Sequence, residues 1–259
     1  MRSSRAKSRL LAATALALML ALAGCKTTRT TDTTGSIAVP AGPRTEAEWR
    51  RDVDTYGTRY RADTRDVEAA VRYANALRGI GQRTQAAAVL EQASIQSPNN
   101  RVVAGAYGRA LADAGNHAQA LDVLSRAHSP DQPDWRILSA QGAVLDQMGR
   151  PEEAQRYYAS ALNIAPEEPS VLSNLGLSYA LSKDLPKAEQ TLRRAIAHPG
   201  ADRRVRQNLA LVIGLQGRFD EAEQLARADL PKEEASANVA YLRQMLKLPN
   251  NWKTLAKGK

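Results

Sequence analysis

One cysteine, one phenylalanine and three histidines are all that these 259 residues supply of those types. A lone cysteine, Cys25, closes no intrachain disulfide and completes no cysteine-pair metal site. His117, His128 and His198 stand far apart, with no His-Glu-x-x-His spacing among them. Long alternating runs of Val, Ile and Thr are missing, so strands are not expected. Walker loops and dinucleotide fingerprints are absent too. Gly176-Leu177-Ser178-Tyr179-Ala180 has the spacing of a nucleophile elbow, but no strand precedes it. These absences predict an all-α chain without catalytic residues, metal or cofactor.

Acidic residues are lacking at both ends. The formal charge is +9, but Met1 to Arg9 holds four of the positive charges and no acid. Lys247, Lys253, Lys257 and Lys259 hold four more, which leaves residues 25–246 at about +1. A near-neutral body attracts phosphate weakly, so nucleic acid is not an expected partner. The tail 248–259, with Leu248, Trp252 and Leu255, is a small basic patch that could meet a partner.

Apolar runs are short as well. Leu10 to Ala23 is apolar apart from Thr14, a stretch of 14 residues, where a spanning helix needs about 20. A basic start, a short apolar stretch and small residues at its end predict a secretory signal peptide over 1–24. Leu22-Ala23-Gly24-Cys25 resembles the lipobox of bacterial lipoproteins at all four positions. The resemblance implies cleavage between Gly24 and Cys25 and lipidation of Cys25. With Lys26 rather than aspartate next, it implies delivery to the outer membrane, on the periplasmic face. Acyl chains contribute about 0.8 kcal/mol per buried methylene, so three would anchor a domain firmly. Residues 25–44 include six threonines and only two aliphatics larger than alanine. Such a segment predicts a flexible tether, roughly 60 Å at full stretch.

What the sequence does have is a period. The chain overlays on itself at a shift of 34 residues, in units 67–100, 101–134, 135–168, 169–202 and a fifth from 203 that fades after 227. Position 20 is Ala86, Ala120, Ala154, Ala188 and Ala222; position 8 is Ala74, Gly108, Gly142, Gly176 and Ala210. Position 15 is Gly81, Gly115, Gly149, Lys183 and Gly217. Positions 4, 7, 8 and 11 share one face of a first helix, and 20, 24 and 27 one face of a second. Small residues at 8 and 20 let the two helices approach, and glycine at 15 ends the first. In the fourth unit Asp184-Leu185-Pro186 is expected to replace that glycine stop. Residues 45–66 predict a leader helix and 232–247 a capping helix, since a stack must cover its last apolar face.

This pattern resembles the tetratricopeptide repeat, strongly over 67–228, although the family's aromatic at position 4 is missing. The resemblance implies a solenoid of about five helix-turn-helix units, with positions 2, 5, 6, 9, 12 and 13 on a concave face that binds protein. In units four and five the candidate groove residues are Asn174, Leu177, Leu181, Arg204, Gln207, Asn208, Leu211 and Leu215, with Gly214 leaving room for a ligand. Asn174 and Asn208 offer donors and acceptors to a peptide backbone. Only Arg204 is basic there, which disfavours a free C-terminal carboxylate. Units one to three carry a polar, charge-mixed face (Arg72, Asn75, Arg78, Arg109, Asp113, Arg136, Asp146) that reads as solvated or as a weak polar contact.

Residues 207–246, QNLALVIGLQGRFDEAEQLARADLPKEEASANVAYLRQML, further resemble the C-terminal part of the tight-adherence (Flp) pilus assembly lipoproteins, the TadD family. That resemblance implies a scaffold for type IVb pilus assembly with an outer-membrane secretin among its partners. Two alternatives stay open: a general cell-envelope adaptor that recruits murein hydrolases or other envelope proteins, and an enzyme whose site has no known motif.

Overall fold

The computed structural model describes residues 44–129 and 131–247. The signal segment with Gly24 and Cys25, all of the tether before Arg44, and the tail 248–259 lie outside the described residues.

Among the described residues there are twelve α-helices and no strand. They are α1 (Glu46–Ala62), α2 (Val67–Gly79), α3 (Arg83–Gln96), α4 (Arg101–Asp113), α5 (His117–Arg126), α6 (Trp135–Gln147), α7 (Pro151–Ile164), α8 (Pro169–Leu181), α9 (Leu185–Ala197), α10 (Arg203–Leu215), α11 (Phe219–Ala226) and α12 (Lys232–Lys247). The pairs α2–α3, α4–α5, α6–α7, α8–α9 and α10–α11 are antiparallel hairpins. Each packs chiefly on its sequence neighbours.

Every hairpin uses the same small-residue contact. The position-20 alanines are fully buried or within 1% of it. A Cβ built on Gly108 would come within 2.5 Å of Leu124, on Gly142 within 2.7 Å of Tyr158, and on Gly176 within 2.6 Å of Leu192. Each of these partners is the position-24 side chain of the same unit. In units two to four the hairpin is therefore closed by a large residue lying over a glycine, while units one and five have Ala74 and Ala210 at that position.

Helix ends follow the period too. Asp66, Asn100, Asp134, Glu168 and Asp202 cap α2, α4, α6, α8 and α10, each accepting a hydrogen bond from a backbone N–H in the first turn. At the other end, φ is +79° at Gly81, +86° at Gly115, +73° at Gly149 and +83° at Gly217. Lys183 takes the same left-handed conformation at φ +68°. The fourth unit thus keeps the stop of the other four, which corrects the expectation that Asp184-Leu185-Pro186 replaces it. Asp184 caps α9 as expected, with Pro186 in its first turn. The N–H of Asp184 donates to the Tyr179 carbonyl at 2.8 Å, the same closing bond that Gln82 makes to Leu77.

First helices of successive units also touch each other: α2 with α4, α4 with α6, α6 with α8, and α8 with α10. Second helices make no comparable contact. Closer approach on one side of a stack curves it toward that side, so the first helices line the inner wall. The joint between units two and three is the most sparsely packed. There α5 ends early at Arg126, and an isolated Ser129–Gln132 bridge lies between it and α6. At the far end α12 closes the stack with Ala235 and Val239 buried against the last hairpin.

Candidate protein-binding groove

Positions 2, 5, 6, 9, 12 and 13 of the first helices are the ones the repeat resemblance implies for the inner wall. A cavity of about 470 Å³ runs along it from α2 to the start of α10. It opens beside Trp135, Ala140 and Val144, with Ser139, Ser170 and Asn174 on one side. Four arginines, Arg78, Arg109, Arg136 and Arg204, face it against one aspartate, Asp113.

The arginines differ in how they are held. Arg78 donates from Nε to Asp113 and from Nη1 to Asn75 Oδ1 at 3.3 Å. The Arg136 guanidinium lies over the Trp135 ring, 4.3 Å from its centre. Arg204 is exposed, with its nearest carboxylate, Asp202, at 3.9 Å. Arg109 is half-buried and is held by no hydrogen bond among the described residues. Burial, and then the like charges of Arg78 and Arg136, lower its pKa from the usual arginine value against the weaker pull of Asp134 and Asp113. A second cavity of about 320 Å³, toward Arg101 and His128, shares Arg109 and Arg136 with the first.

Of the groove residues expected in units four and five, Asn174 and Arg204 line the first cavity. Both asparagines already hold the stack together. Asn174 donates from Nδ2 to Ser139 Oγ at 3.3 Å, and Asn208 to Ser173 Oγ at 2.9 Å. Each bond ties one unit to the unit before it, so one amide donor of each is engaged by the protein itself. Leu181 and Leu211 are 60% and 42% exposed, while Leu177, Gln207 and Leu215 are half-buried. Gly214 gives no room to a ligand. Its missing side chain is replaced by Leu242 of α12, which would lie 2.5 Å from a Cβ there. Part of the charge-mixed face of units one to three, Arg78, Arg109, Asp113 and Arg136, lines the first cavity as well.

Ser178, in the elbow-like stretch, is fully buried and donates to Asp146 Oδ1 at 2.7 Å. Tyr158 donates to Oδ2 of the same carboxylate at 2.9 Å. Burial raises the Asp146 pKa, and these two hydrogen bonds oppose the rise. This network joins unit three to unit four and is closed to solvent at the serine. Among the described residues no three His, Cys, Asp or Glu side chains cluster as metal ligands. No helix among them is long and apolar enough to cross a membrane.

Three tetratricopeptide-repeat models match in succession, over residues 77–143, 139–204 and 204–228. The chain is a tetratricopeptide-repeat protein. Its repeats form an all-α solenoid of stacked hairpins, the architecture of a scaffold for protein–protein interaction. No curated protein matches the sequence. Among solved structures, PilW, titled a widely conserved type IV pilus biogenesis factor, is 17% identical with a TM-score of 0.62, over 75% of this chain and 91% of PilW. The Cut9–Hcn1 assembly of APC/C is 16% identical with a TM-score of 0.63, over 78% of this chain and 41% of that one. MamA is 20% identical with a TM-score of 0.48, over 59% of this chain and 89% of its own. At these identities the likeness is one of fold.

Proposed function

We propose that this tetratricopeptide-repeat protein is a lipid-anchored periplasmic scaffold of the outer membrane, serving assembly of a tight-adherence type IVb pilus and its secretin. The observation that carries the reading is an open, chemically specific inner wall on a repeat stack preceded by Leu22-Ala23-Gly24-Cys25-Lys26. The resemblance of residues 207–246 to the TadD family supports the pilus role, and the same fold serves a protein titled a type IV pilus biogenesis factor. The scaffold acts by holding segments of its partners. It has no catalytic residue, metal or cofactor in this reading.

Membrane fractionation of the full chain and of Cys25→Ser tests the anchor, and co-isolation of the secretin from cells making both tests the role. The wild-type protein is expected in the outer-membrane fraction with secretin attached. The Cys25→Ser protein is expected in the soluble periplasm. Outer-membrane retention of Cys25→Ser after a high-salt wash would refute the lipid anchor. Capture of murein hydrolases without secretin would move the chain to general envelope recruitment.

A further inference from the structure

Arg109 is the feature of the inner wall that intramolecular packing leaves unexplained. Its guanidinium is half-buried at the sparsest joint of the stack, with no hydrogen bond among the described residues and two more arginines close by. A half-buried cation without a hydrogen bond is unfavourable in the free protein, and Asp134 and Asp113 only partly offset the like charges of Arg78 and Arg136. Arg109 faces both cavities of the wall, so an anion can reach it from either side.

We propose that Arg109, with Arg136 beside it and Arg204 at the rim, receives the carboxylate side chains of an extended acidic segment of a partner protein. The proposal rests on the scaffold reading above and names the chemistry of the segment held. Arginine forks match carboxylates geometrically, through two parallel N–H···O bonds. Trp135 and Ala140, both half-buried, lie on the same wall and suit apolar side chains set between the acidic ones. Such a mixed surface fits a protein segment better than free phosphate. A body of about +1 lacks the field that gathers nucleic acid. The chain's own ends do not complement the site either: residues 1–43 contain a single acid, Asp32, and residues 248–259 none. The occupant is therefore another protein.

The test is fluorescence anisotropy of the full-length protein with a short labelled peptide that alternates glutamate and leucine, amidated so that its only carboxylates are side chains. A glutamine-for-glutamate peptide is the control. The expected result is preferential binding of the acidic peptide, weakened by added salt. Arg109→Gln should weaken it about tenfold or more, and Arg65→Gln, far from the wall, should not. Arg136→Gln replaces an exposed side chain, so it carries the test if Arg109→Gln alters the melting curve. Equal affinity for the two peptides, or acidic-peptide binding indifferent to both variants, would overturn the proposal. Displacement of the peptide by an equal concentration of inorganic phosphate would overturn it as well. Secretin capture that survives Arg109→Gln alongside such a result would leave the scaffold role standing. Arginine-dependent peptide binding without secretin capture would do the reverse.

Discussion

Lys183 shows how far one residue is bent to a common geometry. It stands where the other four units have glycine, at φ +68°. The left-handed region costs a residue with a Cβ roughly 1 kcal/mol or more, so its occupation here is imposed by the hairpin around it. Lys183→Gly should raise unfolding free energy by about 0.5–1 kcal/mol, the strain relieved less the added chain entropy of glycine. Chemical denaturation of the two proteins measures it, and a less stable variant would show that the lysine side chain makes a compensating contact. The glycine stops were legible in the sequence because a left-handed stop is a local requirement. At Lys183 the inference from residue type alone failed, because the neighbouring units and the Asp184 to Tyr179 bond decide the backbone there. A second local signal has the same period: the polar cap immediately before each unit, Asp66 through Asp202. It lies outside the apolar pattern that defines the units.

At the level of the helix, the fifth unit departs from the other four at two places at once. Arg206 occupies position 4, apolar elsewhere, and Asp229 occupies position 27, alanine elsewhere. In the structure they answer each other: Arg206 donates to Asp229 from Nε at 2.7 Å and from Nη2 at 3.2 Å. The Asp229 side chain is only 9% exposed, so this fork replaces an apolar contact between α10 and the turn after α11. Arg206→Leu alone strands a covered carboxylate and should cost about 3 kcal/mol, whereas Arg206→Leu with Asp229→Ala restores the pattern of the other units and should be close to neutral. Thermal melts of the single and double variants decide it; additive losses would mean that the pair is not coupled. Each departure is visible in the sequence, but their pairing depends on which faces meet. The groove was partly legible for the same reason. The concave positions follow from the resemblance to the repeat family, yet the serine partners of Asn174 and Asn208 and the seat of Leu242 over Gly214 depend on how one unit docks on the next.

Across the whole stack, neighbouring units are coupled by their shared faces, and a solenoid of this kind is only as continuous as its joints. The joint between units two and three, where α5 is short and Arg109 sits, has the least packing. Stiff plates joined face to face act as springs in series, and most thermal bending collects in the most compliant spring. Ala88, Arg156 and Gln224 occupy the same position of units one, three and five and are all exposed. Cysteines at these sites, in a Cys25→Ser background, allow spin-label distances to be compared. The pair at 88 and 156 spans the loose joint and should give a broader distribution than the pair at 156 and 224; equal widths would mean uniform stiffness. An acidic segment lying across Arg109 and Arg136 bridges that joint like a splint. Its arrival should narrow the first distribution and leave the second unchanged, so that the scaffold's rigidity itself reports whether a partner is aboard.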